Sequence, residues 1–254
     1  ARTRDDVEAA QRLRFQVFNL ELGEGLQASY STGRDEDQYD ARCHHLLIEH
    51  QETARIVGTY RLMTQRMAGT AGFYSEAEFH LEAIPPWILD EGVELGRACV
   101  ASDHRSGRVI YLLWKGIAQY MAYNQLRYLF GCCSVPATDP GVGLKLQVQL
   151  ADEGCLAEGF LSRATRPCSC QAATMADQEV LLPPLFKVYL DMGAKVCSEP
   201  AIDREFGVVD FLIVLDVEKL DERTRKRMFG SSSAPKGAVQ QVVNEPPPRN
   251  DYRH

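Results

Sequence analysis

Residues 92–136 carry two short apolar runs, GVELGRACV and RYLFGCCSV, on either side of a polar turn and a longer mixed run, RVIYLLWKGIAQYMAYN. The mixed run places Leu112, Leu113, Ile117, Tyr120 and Met121 at helical spacing, which predicts a helix over 108–124 with one buried face. The flanking runs read as strands, the first over 92–101. Strands joined through a helix become parallel neighbours, so the chain must build a sheet with a helix against it. Between first strand and helix lies the turn 102–107, SDHRSG. A turn that opens a helix is a natural seat for a phosphate, because free backbone N–H groups and the helix dipole point at it. Here only Gly107 supplies backbone freedom, and Arg105 and Arg108 crowd around it.

The rest of the chain supplies the partners of this unit. Residues 3–20 are expected to form a helix, with Thr3 as cap, Asp5 and Asp6 at its positive end, and Val7, Ala10, Leu13, Arg14, Val17 and Phe18 on one face. HHLLIEH and RIVGTYRLM, joined by the polar QETA, suit a hairpin. YSEAEFHL reads as a short helix ended by Pro85–Pro86. PPLFKVYLDMGAKV has a Pro start, a stop at Gly193 and a short strand after it, and VVDFLIVLD is the last strong strand. Residues 155–180 carry little periodicity, and no internal repeat is visible. This order argues for a mixed sheet with helices on its faces, an α/β or α+β domain.

With 254 residues and 45% hydrophobic side chains the chain can bury a sizeable core, expected as one domain over 1–229. Residues 230–254 are Ser-, Pro- and polar-rich and are expected to form a disordered tail. The net charge of -7 disfavours nucleic acid as a partner. Phe211 to Leu215 falls far short of the roughly 18 apolar residues of a membrane span. The first residues, ARTRDD, carry no apolar stretch, so no export signal is expected. None of the eight cysteines makes a Cys-x-x-Cys pair, and most lie in apolar runs, so reduced core thiols are expected rather than disulfides or a metal site. A cytoplasmic protein fits these features, with peripheral contact at the inner membrane face left open through RTRKRMF near the C-terminus.

Four charges interrupt otherwise apolar or strand-like segments: Arg14, Arg61, Glu94 and Arg97. A charge on a buried face must be paired, since isolated burial costs several kcal/mol. Glu94 and Arg97 are three apart and face opposite sides of a regular strand, so they meet only if a bulge, permitted by Gly96, lies between them. One outcome is a set of internal ion pairs; the other is a polar cleft where Glu94 accepts a proton and arginines hold a carboxylate. Asp37 and Asp40 in DEDQYD are either a solvated loop or a seat for the ammonium of a cationic substrate.

RFQVFNLEL, DEDQYD, VGTYRLM and VELGRACV, in that order, resemble the motif series of the acyl-homoserine-lactone synthases, within the GCN5-related N-acyltransferase superfamily. DHRSGRVIYLLWKGIAQYM and PPLFKVYLDMGAKVCSEPAIDREFGVVDFLIVLD are more similar to ornithine-lipid synthases. The resemblance spans residues 12–228 and implies that superfamily's fold, a mixed sheet splayed at its fourth strand. It also implies transfer of a 3-hydroxy fatty acyl group from acyl carrier protein to the α-amine of ornithine.

In this superfamily the turn after the fourth strand holds the pyrophosphate of coenzyme A on a Gly-rich backbone. Here both small positions are lost, to Arg108 and Ile110, which favours the single phosphate of acyl-phosphopantetheine on acyl carrier protein over acyl-coenzyme A. The donor is expected along Cys99, Val100 and Ala101 and at Arg105, Ser106, Gly107 and Arg108; Lys115 and Arg127 would extend a basic strip. Glu94 is the expected base with Arg97 tuning it or holding the acceptor's carboxylate, and Asp37, Asp40, Arg61 and Ser134 are expected to bind the small amino-acid acceptor. No permanently bound cofactor, no metal and no covalent Cys99 intermediate are needed.

Three alternatives remain. A lactone synthase would carry a Trp in the loop after the first helix, whereas this chain has only Trp87 and Trp114. A long-chain N-acyl amino acid synthase would use another amine. A catalytically silent acyl-carrier-binding module is permitted by the glycine losses in the turn.

Overall fold

The computed structural model describes residues 1–177 and 179–229, so the expected tail at 230–254 lies outside the described residues. The chain opens with α1 (Arg4–Phe15), where Thr3 Oγ1 accepts the Asp6 N–H and the Asp6 carboxylate accepts the Thr3 N–H, a reciprocal cap. Beyond Phe15 the coil widens into a π turn, Gln16–Glu21, so the helix expected over 3–20 is α-helical only in its first part. A long loop holding the single turn α2 (Ser29–Thr32) leads to the hairpin of β1 (His44–His50) and β2 (Arg55–Thr64). The single turn α3 (Gln65–Ala68) follows. YSEAEFHL then forms only a 3₁₀ turn, Tyr74–Ala77, and Pro86 opens a helix, α4 (Pro86–Asp90), rather than closing one. Pro at a first helical position lacks only an N–H that would have been unpaired.

The central unit forms as its pattern demands: β3 (Gly92–Val100), α5 (Arg108–Asn124) and β4 (Tyr128–Pro136), with β3 and β4 parallel. Val109, Leu113, Trp114, Ile117, Ala118 and Met121 are the buried side of α5. Leu112, expected inside, is exposed and Tyr120 is half-buried, because the face is centred on Leu113 and Ile117. α6 (Pro140–Asp152) follows, capped by Asp139, where the sequence suggested no element. The chain closes with α7 (Pro184–Asp191), β5 (Lys195–Val196), β6 (Ala201–Asp203), β7 (Val208–Asp216) and α8 (Glu222–Phe229).

The sheet order is β1-β2-β3-β4-β7, with β5 and β6 on successive stretches of the outer edge of β7. All pairings except β3–β4 are antiparallel. One apolar layer, built from α1, α5 and α7, covers one face of the sheet. A smaller one, with Phe73, Phe79, Ile84 and Ile88, covers the other. This is a mixed sheet with helices on both faces.

Two local features create space within it. The β3–β4 pairing lasts only from Gly92–Tyr128 to Glu94–Phe130, after which the strands part. Gly131 sits at the parting point with φ 153°, and a Cβ there would lie 2.3 Å from Leu95 O, so only glycine lets β4 pass β3 this closely. On the other side of β3 the register with β2 slips between Thr59–Cys99 and Arg61–Gly96. The bulge expected near Gly96 is therefore present, but its left-handed residue is Arg97, with φ 51°.

Candidate active site

Where β3 and β4 part, a cavity of about 270 Å³ opens. Tyr60, Leu95, Cys133, Phe186 and Tyr189 give it an apolar wall, and the Tyr60 and Tyr189 hydroxyls meet at 3.1 Å. Its polar lining comes from Arg61, Arg97, Ser134, Asp203, Asp210 and Glu24. The cavity thus joins a pocket fit for alkyl chain to a rim carrying both signs of charge.

The arginines come from a buried network. Arg14 is fully buried on α1 and pairs with Asp35 at 3.0 Å and Asp40 at 2.7 Å. Arg61 pairs with Asp37 at 2.7 Å and Asp40 at 3.1 Å. Arg97 reaches Asp35 at 3.3 Å and Asp37 at 3.2 Å, its guanidinium 4.3 Å from the centre of the Phe206 ring. Three arginines are matched by three aspartates, which is what makes their burial tolerable. Burial raises the Asp40 pKa, but Arg14 and Arg61 outweigh it and hold the carboxyl well below the usual range.

Asp37 and Asp40 therefore do not wait for a substrate ammonium: they face away from the cavity and neutralise arginines. Asp35, completely buried at the centre of the network, was not singled out in the sequence, though it stands in the same DEDQYD stretch.

Glu94 is also placed differently from expectation. It is buried, but both its oxygens accept backbone N–H groups, from Tyr74 at 2.9 Å and Ser75 at 2.8 Å, and it does not line the cavity. Neither Arg97 nor Arg61 forms an ion pair with it among the described residues. The bulge turns Arg97 to the cavity while Glu94, on the regular part of β3, anchors the 3₁₀ turn on the other layer. Burial pushes its pKa up, against the Ser75 and Tyr74 hydrogen bonds.

Ser134 does line the cavity, and its hydroxyl donates to Asp210 Oδ1 on β7 at 2.5 Å. Burial pushes Asp210 up to about 6, with Asp203 adding to the rise and Ser134 opposing it. Glu24, half-buried at the cavity wall, is also raised by burial. Sequence reasoning passed over Asp210, although it interrupts VVDFLIVLD just as Glu94 interrupts its own strand.

Cys99, Val100 and Ala101 run along the end of β3 past the bulge. Cys99 is buried and its thiol is pushed up to about 12 by burial, which makes it a poor nucleophile. At the turn, Gly107 adopts φ 87° as it opens α5. Arg105 is committed to Glu21 and to the Val100 carbonyl, while Arg108 is exposed with no ion pair among the described residues. Arg127 is spent on Asp216 and Glu218 and so drops out of the basic strip. Lys115 and Arg227 both lie against the Tyr111 ring, bringing α8 beside α5. No helix among the described residues is long and apolar enough to cross a membrane.

A mixed sheet that splays beside a parallel pair, with a helix N-terminus at the open end and an apolar-to-polar cavity in the splay, is the architecture of an N-acyltransferase of the GNAT type. The family model "Acetyltransferase (GNAT) domain" matches residues 13–115. Among solved structures, the fold resembles the CoA-dependent acyl-homoserine lactone synthase BjaI with SAM and isopentyl-CoA (TM-score 0.50, 16% identity, 91% of this chain and 85% of that one). It also resembles the AHL synthase LasI (TM-score 0.50, 14% identity, 93% and 94%). By sequence the chain is 34% identical to the L-ornithine N(alpha)-acyltransferase of Brucella abortus over 88% of its own length and 85% of the relative's. It is 35% identical to that of Rhizobium meliloti over 88% and 80%. The chain belongs to the L-ornithine N(alpha)-acyltransferase family.

Proposed function

We propose that this chain moves a 3-hydroxy fatty acyl group from acyl carrier protein to the α-amine of ornithine, in the cytoplasm and at the inner face of the membrane that receives the product. The acceptor is the one named for the relatives. The observation that carries the reading is the cavity itself, apolar toward Phe186 and Tyr189 and two-signed at its rim, which suits an acyl chain meeting an amino acid. The acyl-pantetheine arm enters along β3 past the bulge, where the strand has lost its β4 partner and its backbone can pair with the arm's amides. Arg97 has five N–H donors and commits three, to Asp35, Asp37 and Tyr74, which leaves two for the acceptor's carboxylate.

The neutral α-amine attacks the thioester carbonyl. A C–N bond forms, the C–S bond breaks, and phosphopantetheine leaves as the thiolate, which takes a proton from water. Glu24 takes the proton lost by the amine, since among the carboxyls lining the cavity it stands outside the Glu78–Asp203–Asp210 cluster and is raised by burial.

Acyl carrier protein is favoured as donor because the turn presents Arg108, with Lys115 and Arg227 alongside, on an otherwise acidic chain. The test is turnover of 3-hydroxyacyl-loaded carrier protein against the matching acyl-coenzyme A, with ornithine as acceptor and the N-acyl product weighed by mass spectrometry. Carrier-protein turnover should fall with salt, and Arg108→Glu should raise its KM about tenfold with a smaller change in kcat. Equal use of acyl-coenzyme A, indifferent to salt and to this reversal, overturns the donor. No acylated ornithine from either donor overturns the reading as a whole.

A further inference from the structure

At the rim of the cavity and directly behind it lie three carboxyl groups that acyl transfer itself does not use. Asp210 and Asp203 line the cavity, and Glu78 stands behind them, 4% exposed. One oxygen from each lies within 4.8 Å of the others. Two are fixed by their surroundings: Asp210 by Ser134, and Asp203 by the turn into β7, where its Oδ1 accepts the N–H groups of Glu205 at 2.8 Å and Phe206 at 3.0 Å. Glu78 Oε2, by contrast, is buried with no hydrogen-bond partner among the described residues.

Burial, with the Asp210 and Asp203 charges adding to it, pushes the Glu78 pKa well up. Neither Asp203 nor Asp210 forms an ion pair among the described residues, and Arg97, the cation whose charge reaches Asp210, forms its ion pairs with Asp35 and Asp37. A buried orphan acceptor beside uncompensated carboxylates is costly as it stands and becomes favourable when a cation arrives.

We propose that Glu78, Asp203 and Asp210 form the subsite for the primary ammonium at the end of the acceptor's side chain, a deepening of the reading that the acceptor is ornithine. An ammonium group has three donors at the tetrahedral angle, and bonds of about 2.8 Å would set its acceptors about 4.6 Å apart. That matches the span of the cluster. Arg97 and the cluster then bracket the acceptor from its two ends, with Phe206 on the turn between them. A side chain that ends in methyl would leave the carboxylates desolvated and unpaired, which is how a polar site rejects an analogue lacking its partner group.

The experiment compares ornithine with norvaline, its analogue without the terminal amine, using the full chain and one acyl donor. The wild type should favour ornithine in kcat/KM by at least about 10²-fold. Asp203→Asn keeps an oxygen for the Glu205 and Phe206 N–H groups. It should lower kcat/KM for ornithine about 10–100-fold, mostly through KM, and leave norvaline unchanged or improved. Glu78→Gln, checked for folding by thermal melting, should shift the preference the same way. The subsite is overturned if ornithine is acylated yet Asp203→Asn keeps the full preference. It is equally overturned if added Mg²⁺ or Mn²⁺ raises activity only when the cluster is intact, which would make the triad a metal site. If the wild type acylates neither amino acid, it is the proposed function that fails.

Discussion

Arg14 touches nothing in the cavity, yet it is buried more completely than any other charged side chain except Asp35, whose exposure equals it. It ties α1 to the loop that supplies Asp35 and Asp40, and through them steadies Arg61 and Arg97. Arg14→Ala takes from Asp35 and Asp40 one of the two arginines each is paired with, leaving three buried aspartates to two arginines, and denaturant unfolding should show a loss of about 3–5 kcal/mol. Glu94 and Glu24 part company under the same reasoning. Glu24→Gln should lower kcat about 10²-fold without lowering the melting temperature, the scale of a lost general base. Glu94→Gln should act first on stability, because it weakens acceptors for two backbone N–H groups. Full activity in Glu24→Gln would remove it from the proton path. The sequence revealed that Arg14, Arg61, Glu94 and Arg97 need partners but not which ones. A charge in an apolar run reports burial, whereas its partner comes from a loop distant in the chain. Asp210 gave the same signal as Glu94 within VVDFLIVLD, while Glu78 closes a 3₁₀ turn and Asp203 ends the three-residue β6, both too short for periodicity to mark them.

At the scale of elements, the crossover unit was legible because helical spacing and strand length both survive in isolation: α5 occupies 108–124 as its pattern demands. α6 was not, since LKLQVQL alternates like a strand while Asp139 and Pro140 alone signal a helix start. Packing of Leu146 and Leu150 decides it. The splay of β3 from β4 is likewise written in a single residue. Gly131→Ala places a methyl against the Leu95 carbonyl at a backbone angle that side chains avoid, so β4 must shift. A melting temperature lowered by several degrees is expected, with a raised KM for the acyl donor, because a shifted β4 alters the opening beside the stretch of β3 along which the arm is proposed to enter. An unchanged donor KM would separate the splay from donor binding.

Over the whole molecule, acid-loving and acid-fearing carboxyls are buried side by side, and they set opposite limbs of the stability profile. Asp40 is held below its ordinary range, so its contribution is complete above the unfolded value of about 4 and is lost as pH falls through the folded one. Asp210, pushed up to about 6, works the other way. Its ionised form is disfavoured in the fold, so the cost is full above about 6 and is relieved as pH falls toward about 4. Glu78, Glu24 and Glu94 are raised as well and add to the same limb. Stability should therefore peak between about pH 4 and 6, below neutrality, and fall on both sides. Approach to the isoelectric point of about 5.4 also relaxes repulsion within a chain of net charge -7, which would lift the same limb without any buried group. Asp210→Asn separates the two causes, because it alters the total charge by one unit but removes the raised carboxyl. Melting temperatures taken across pH 4–8 should lose part of their slope between about 6 and 4 in that variant, while the acid limb set by Asp40 stays in place. A slope that persists undiminished would assign it to overall charge instead.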